Sequence, residues 1–279
     1  MKYERHDMKP FILHSLYFIV YNLYFITHIS KMVLPDFLKP FEADIEKAKM
    51  QSLQITSTPC RLEDLKLSQS SFMGRPWLPI NSEYPKDGEG QPMLMLAQIN
   101  FAEAPPIADF PEKGILQFYI SATEWTEMKD YKILFWEDPS VETTLMTDFS
   151  FLTEDLLENS PIECPHELCF DLVDSYGSPQ DLRTQSILPI LDSDELTEEQ
   201  ENIIYELLDG TGHKLSGYAF FTQDDPRYNE QNKNDVLLLQ IDSDKKIRFG
   251  DSGVANFFIP KDALLKKDFS KAWFNWDCY

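Results

Sequence analysis

Cysteine is scarce in this chain, four among 279 residues, at positions 60, 164, 169 and 278. So few thiols over such a length do not make a disulfide framework, and they fit a reduced, cytoplasmic setting. Two of them bracket "CPHELC", Cys164 to Cys169 with His166 between. A structural zinc needs four ligands closed into a tetrahedron, and no second Cys/His pair follows at a suitable spacing, so no metal is expected. Positive charge is short as well. Against 47 Asp and Glu stand 25 Lys and Arg, a formal net charge of -22. Such a field repels phosphate backbones and anionic lipid, which argues against nucleic acid as a partner. Between Lys132 and Lys214 the one Lys or Arg is Arg183. That acidity reads first as a solubilising surface and second as a docking face for a basic protein.

Signature motifs are missing too. The chain has no P-loop, no dinucleotide fingerprint, no zinc-protease helix and no coiled-coil heptad, and no cofactor is expected. "DSDELTEEQE", from Asp192, lacks the glycine that a calcium loop needs at its sixth position; Thr197 stands there and is better used as a helix cap. The single long apolar run, Phe11 to Ile29, is broken by His14, Asn22, Thr27 and His28, groups that are costly in hydrocarbon. No small-residue cleavage site follows it. The reading is that the fold begins at Met32, with residues 1–31 an apolar extension outside it. A membrane anchor through Phe11–Ile29 is the competing reading.

What is present is a repeated grammar. "LMLAQIN" leads to "KGILQFYI", and "VLLLQID" leads to "SGVANFFI". Gly114 and Gly253 precede the aromatic runs, Gln98 matches Gln240, and Asn100 matches Asp242. Short β-branched and aromatic runs bounded by Gly, Pro and Asp predict strands. A capping box at Thr197 and Gln200, followed by Ile203, Ile204, Leu207 and Leu208, predicts a helix that Gly210 ends. Leu34, Phe37, Leu38, Phe41 and Ile45 fall on one helical face. The expected fold is therefore α+β and β-rich: a domain over residues 32–279, built from two related halves at about 70–140 and 213–279 with helical connectors.

The stretches "GRPWLPINSEYP", "GQPMLMLAQINFAE", "PEKGILQFYI", "HKLSGYAFFTQDDPR" and "FGDSGVANFFI" together resemble the YwqG-like family of bacterial proteins, a domain of unknown function. The resemblance runs from about Leu34 to Tyr279 and implies a fold and a cytoplasmic setting rather than a mechanism. It departs at Gly74-Arg75-Pro76, where the family has Gly-Gly-Pro. It departs again at Ser216-Gly217-Tyr218-Ala219, where the family has Gly-Gly-Tyr-Pro. Both departures fall on the glycine loops.

Three groups of residues are candidates for function. "GDSG" at Gly250–Gly253 imitates the surroundings of a serine-protease nucleophile, but Val254 and Ala255 follow it and Lys113 stands opposite Ser252 in the other repeat; a turn before a strand is the expectation. Asp224, Asp225 and Arg227 form the densest polar cluster. With His213 they could serve a small-molecule hydrolase, or they could form an Asp-Asp-Pro turn closed by arginine. Gln98 and Gln240, buried amides, need hydrogen-bond partners, expected in the facing half. The alternative places them in a cleft between the halves, with Asn100 and Asp242 beside it. The expected function is that of a non-enzymatic binding or interaction protein, acting through its acidic surface or that cleft on a basic protein or a small ligand.

Overall fold

The computed structural model describes residues 33–140, 143–192 and 196–279; the apolar run Phe11–Ile29 lies outside them. Residues 33–43 belong to a short leading unit and residues 44–279 to the main one. In the leading unit, a 3-10 turn over Asp36–Phe41 contains Pro40, which denies an α-helix its hydrogen bond, and Leu38 is its buried residue. An α-helix over Glu42–Ala48 follows directly.

Among the described residues, ten strands carry the main unit. They are β1 (Met50–Pro59), β2 (Ser71–Phe72), β3 (Leu94–Asn100), β4 (Ile115–Ile120), β5 (Tyr131–Trp136), β6 (His166–Ser175), β7 (His213–Ser216), β8 (Val236–Asp242), β9 (Val254–Ile259) and β10 (Trp273–Asp277). They form one sheet in the order β10-β9-β8-β7-β1-β6-β2-β3-β4-β5, and every pairing is antiparallel. The longest ladder joins β1 to β6, from Met50 opposite Ser175 to Pro59 opposite His166.

The sheet curls until it is nearly closed. Phe118 of β4 and Phe257 of β9 lie far apart in strand order, yet their ring centroids are 4.8 Å apart in the interior. The two borders also approach one another: Tyr131 of β5 faces Phe274 of β10 at 6.2 Å. Beyond them, the Trp276 indole donates to the Thr126 carbonyl at 3.0 Å. The enclosed core takes Leu96, Ile99, Leu116, Phe118, Ile241 and Phe257 among others. An aromatic pair such as Phe118 and Phe257 adds about 0.5–1.5 kcal/mol beyond the area it buries.

The expected α+β class with two related halves is corrected by this topology. Among the described residues helices are few and short; the longest in the main unit, Glu198–Leu207, has ten residues. β3–β5 and β8–β10 are the two ends of a single sheet, and β1 and β6, its longest strands, belong to neither expected half. The similar spelling of the two ends has a physical cause. β4 and β9 are buried along their whole length, and loops cover the outer face of both ends. Leu78, Tyr84 and Phe149 pack over β3 and β4, while Ala219 and Phe221 pack over β8 and β9. Strands buried on both faces read as continuous apolar runs wherever they occur.

Individual elements follow the sequence closely. The helix Glu198–Leu207 is capped at Thr197 with both halves of the capping box made by Gln200. Pro260 precedes the helix Lys261–Leu265. A bulge between Met95 and Ala97 in β3 turns Met95 to the outer cluster while Leu96 and Ala97 both face the core.

Candidate functional site

Asp224 and Asp225 point apart, as consecutive residues of a turn do. Asp224 is exposed, whereas Asp225 and Arg227 are buried. Asp225 caps the turn by accepting from the Arg227 N–H at 2.9 Å, and its carboxylate takes the Arg227 Nε–H at 2.8 Å. The guanidinium donates further to the Asp235 carbonyl at 3.0 Å and lies over the Phe258 ring at 4.7 Å. Its second carboxylate partner, Asp181, is not among the residues that the sequence put forward. Asp181 Oδ2 stands 2.9 Å from Arg227 and 2.7 Å from Arg183, and it accepts from the Ala219 N–H at 2.9 Å. Burial alone would raise the Asp181 pKa, but the two guanidinium groups reverse this and hold it well below the carboxylate range. Arg183 finishes the network by donating to the Gly217 carbonyl at 2.9 Å. Asp181, Asp225 and Arg227 are buried and paired with one another, with Arg183 at the partly exposed edge, so the cluster ties its loops together and its carboxylates are committed to guanidinium groups rather than to a substrate.

His213 lies elsewhere, at the end of β7. Its Nδ1 accepts from the Asp242 N–H at 3.0 Å, which fixes the proton on Nε2. Ser57 Oγ and Asp244 Oδ2 both stand 3.4 Å from that same Nε2. In a nucleophilic triad the hydroxyl and the carboxylate address opposite ring nitrogens. Here the lone pair that would accept the serine proton is already spent on backbone. Burial lowers the His213 pKa against the opposing charge of Asp244, so the ring is neutral. Beside it on β6, His166 is fully buried, and neither of its ring nitrogens has a hydrogen-bond partner. Among the described residues no group of three or more His, Cys, Asp or Glu is placed to hold a metal ion.

The two glutamines serve loops of their own end of the sheet rather than a facing half. Gln98 accepts from the Trp77 N–H at 2.7 Å and donates to the carbonyls of Leu67 and Gln69 at 2.9 and 2.8 Å. Gln240 accepts from the Phe220 N–H at 2.8 Å and donates to the Gly210 and Gly212 carbonyls at 2.9 and 2.7 Å. Asn100 caps the 3-10 turn Phe101–Glu103, and Asp242 accepts from the Gly212 N–H at 2.7 Å. These four residues stitch loops to strands and do not converge on one opening. Ser252 is exposed, with its hydroxyl turned to the Asp251 carbonyl at 2.5 Å. Its neighbour Gly253 is the constrained residue: a Cβ there would meet the Asp277 carbonyl oxygen at 1.9 Å.

A concave site lies beside β3, lined by none of the residues the sequence put forward. A cavity of about 250 Å³ is walled by Leu62, Met73, Tyr84, Met93, Leu94 and Met95, and on its far side by Phe149, Leu152, Leu157 and Pro165. Its polar lining comes from Arg75 and Ser160. The Tyr84 hydroxyl is already spent, donating to the Met93 carbonyl at 3.0 Å. Positive φ at both Met73 (56°) and Gly74 (117°) kinks the chain just before Arg75, and Pro76 stiffens it just after. The signal that could have found this place was in the sequence, as the arginine standing at position 75, where the family that the chain resembles has a second glycine.

A family model described as "Domain of unknown function (DUF1963)" matches residues 70–278. No curated protein matches the chain.

Proposed function

We propose, for a chain that belongs to the family of the domain of unknown function DUF1963, that it works as a non-enzymatic binding protein with a small-ligand seat beside β3. We place it, more finely, with the YwqG-like proteins and in the cytoplasm. The observation that carries the reading is the cavity between Met73 and Leu157, apolar on most sides and edged by a cation. Binding sites for small molecules have this composition: apolar walls with a few polar groups that fix orientation. Three methionines in the wall, Met73, Met93 and Met95, suit a pocket that adjusts to its guest, because the unbranched thioether repacks cheaply. The hydrolase alternative has less to stand on, since Asp225 and Arg227 are committed to one another and His213 offers no free lone pair to Ser57.

The test is titration with benzene of protein carrying 13C-methyl methionine. Shifts concentrated at Met73, Met93 and Met95 are expected. Shifts spread evenly over the methionines, or none at all, would remove the seat.

A second reading, docking of a basic protein on the acidic surface, rests on one observation. Arg183, the one Lys or Arg between Lys132 and Lys214, is turned inward onto Asp181, and Lys214 is itself buried. That stretch therefore offers a partner only acids. Association through it would weaken steeply as salt is raised.

A further inference from the structure

We propose that the seat takes a monocarboxylate with a short aliphatic tail of about eight carbons, the tail among the methionines and the carboxylate on Arg75. The proposal rests on the reading of the cavity as a ligand seat. Size comes first. A water occupies ~30 Å³ of liquid and a methylene is similar, so a cavity of about 250 Å³ holds roughly eight such groups. Longer chains would have to leave by the mouth.

Charge decides the head group. Among the described residues, Arg75 makes no ion pair and no hydrogen bond, although the chain carries far more acids than bases. Lys47, Lys66, Lys132, Lys245, Arg248 and Lys271 also lack ion pairs, but Arg75 differs from them in lining an apolar cavity. Its planar fork matches a carboxylate edge to edge. Ser160 supplies a second donor: its Oγ accepts from the Ile162 N–H at 3.1 Å, and its own proton is uncommitted. Tyr84 cannot add a third, being spent on Met93. One cation and one hydroxyl suit a monoanion. A dianionic phosphate would bring a second charge into the field of a protein at -22 with nothing to meet it. The backbone on either side of Arg75 is fixed by the kink at Met73 and Gly74 and by the ring of Pro76.

The experiment is calorimetric titration of the full chain with octanoate, octan-1-ol and octylamine, repeated on Arg75→Gln and Leu152→Trp. Arg75 is exposed, so its replacement leaves the core untouched. Octanoate is expected to bind the wild type best. Arg75→Gln should weaken octanoate about five- to tenfold while moving octanol less than about twofold. Leu152→Trp, which fills the wall, should block both. If octanol or octylamine matches octanoate and Arg75→Gln changes nothing, the carboxylate assignment is overturned and the seat stands. If none of the three binds the wild type, the seat itself is lost.

Discussion

Arg227 Nη2 stands 2.9 Å from Asp181 Oδ2, with both side chains shut away from water. The pair joins the turn after Phe221 to the start of the helix Leu182–Ile187, and Asp225 and Arg183 complete it. Removing one member of a buried ion cluster strands the charge of the others. Asp181→Ala should therefore cost about 3–5 kcal/mol, whereas Asp224→Ala, at an exposed position, should stay within about 0.5 kcal/mol. Urea unfolding of the two variants checks this, and equal midpoints would mean the cluster contributes little. The sign with pH is also fixed. A carboxylate held below its unfolded value stabilises above ~4 and loses that contribution as acid protonates it, so the deficit of Asp181→Ala should shrink below about pH 4.

Lys214 gives the opposite sign at the alkaline end. Burial lowers its pKa to about 8, against the pull of Asp209, Asp181 and Asp242, and its ammonium donates to the Gly210 carbonyl. Below that pH the folded protein carries a buried charge that the unfolded chain holds in water. Lys214→Met should stabilise at pH 7 by up to about 3 kcal/mol, since Gln240 still serves the same carbonyl. The gain should fade between pH 8 and about 10.5, where the unfolded lysine also loses its proton. Melting curves across that range decide it; a constant gain would place the effect in packing alone.

His166 is a buried imidazole with two idle nitrogens. Burial lowers its pKa, with the charge of Asp244 and the nearby Cys164 backbone working the other way. The unfolded ring takes a proton near pH 6.5 and the folded one resists, so stability falls as pH drops through that region. His166→Leu should raise the melting temperature at pH 8 by relieving unpaired polar atoms and raise it more at pH 5. A smaller gain at pH 5 than at pH 8 would mean the folded ring accepts its proton readily.

At the turn before β9, two adjacent substitutions should behave oppositely. Ser252→Ala should be silent in unfolding, because the side chain touches only its own backbone neighbour. Gly253→Ala should cost several kcal/mol, on the order of the larger single-residue effects, because the new methyl group collides with the Asp277 and Phe249 carbonyls. Chemical denaturation of both proteins reads the difference, and a well-folded Gly253→Ala would show that the β8–β9 turn gives way easily.

Legibility in the sequence followed burial. β3, β4, β8 and β9 stood out because both their faces are covered, which removes polar residues from the run. β1 and β6 did not. "MQSLQITSTP" and "HELCFDLVDS" keep one face in water, and their alternation of exposed and buried residues is too irregular to announce a strand. Missing the two middle strands made one sheet look like two halves. Sites were legible to the same degree. The arginine turn at Asp225–Arg227 was visible as a local motif, but Asp181 meets it only through the fold. Arg75 was visible as an oddity of a glycine loop, while the cavity it edges is assembled from Leu62, Leu157 and Pro165, which no spacing connects.

The approach of β5 to β10 bears on how this protein behaves when crowded. Open sheets carry two free borders, each able to recruit a strand from another molecule. Here Tyr131 and Phe274 face one another across the gap, and the Trp276 N–H is turned onto the Met128 sulfur at 3.4 Å. Either border is therefore screened by the other. Fibril growth by strand addition would need that aromatic seam to part first, so the seam guards solubility at high concentration alongside the repulsion between acidic surfaces.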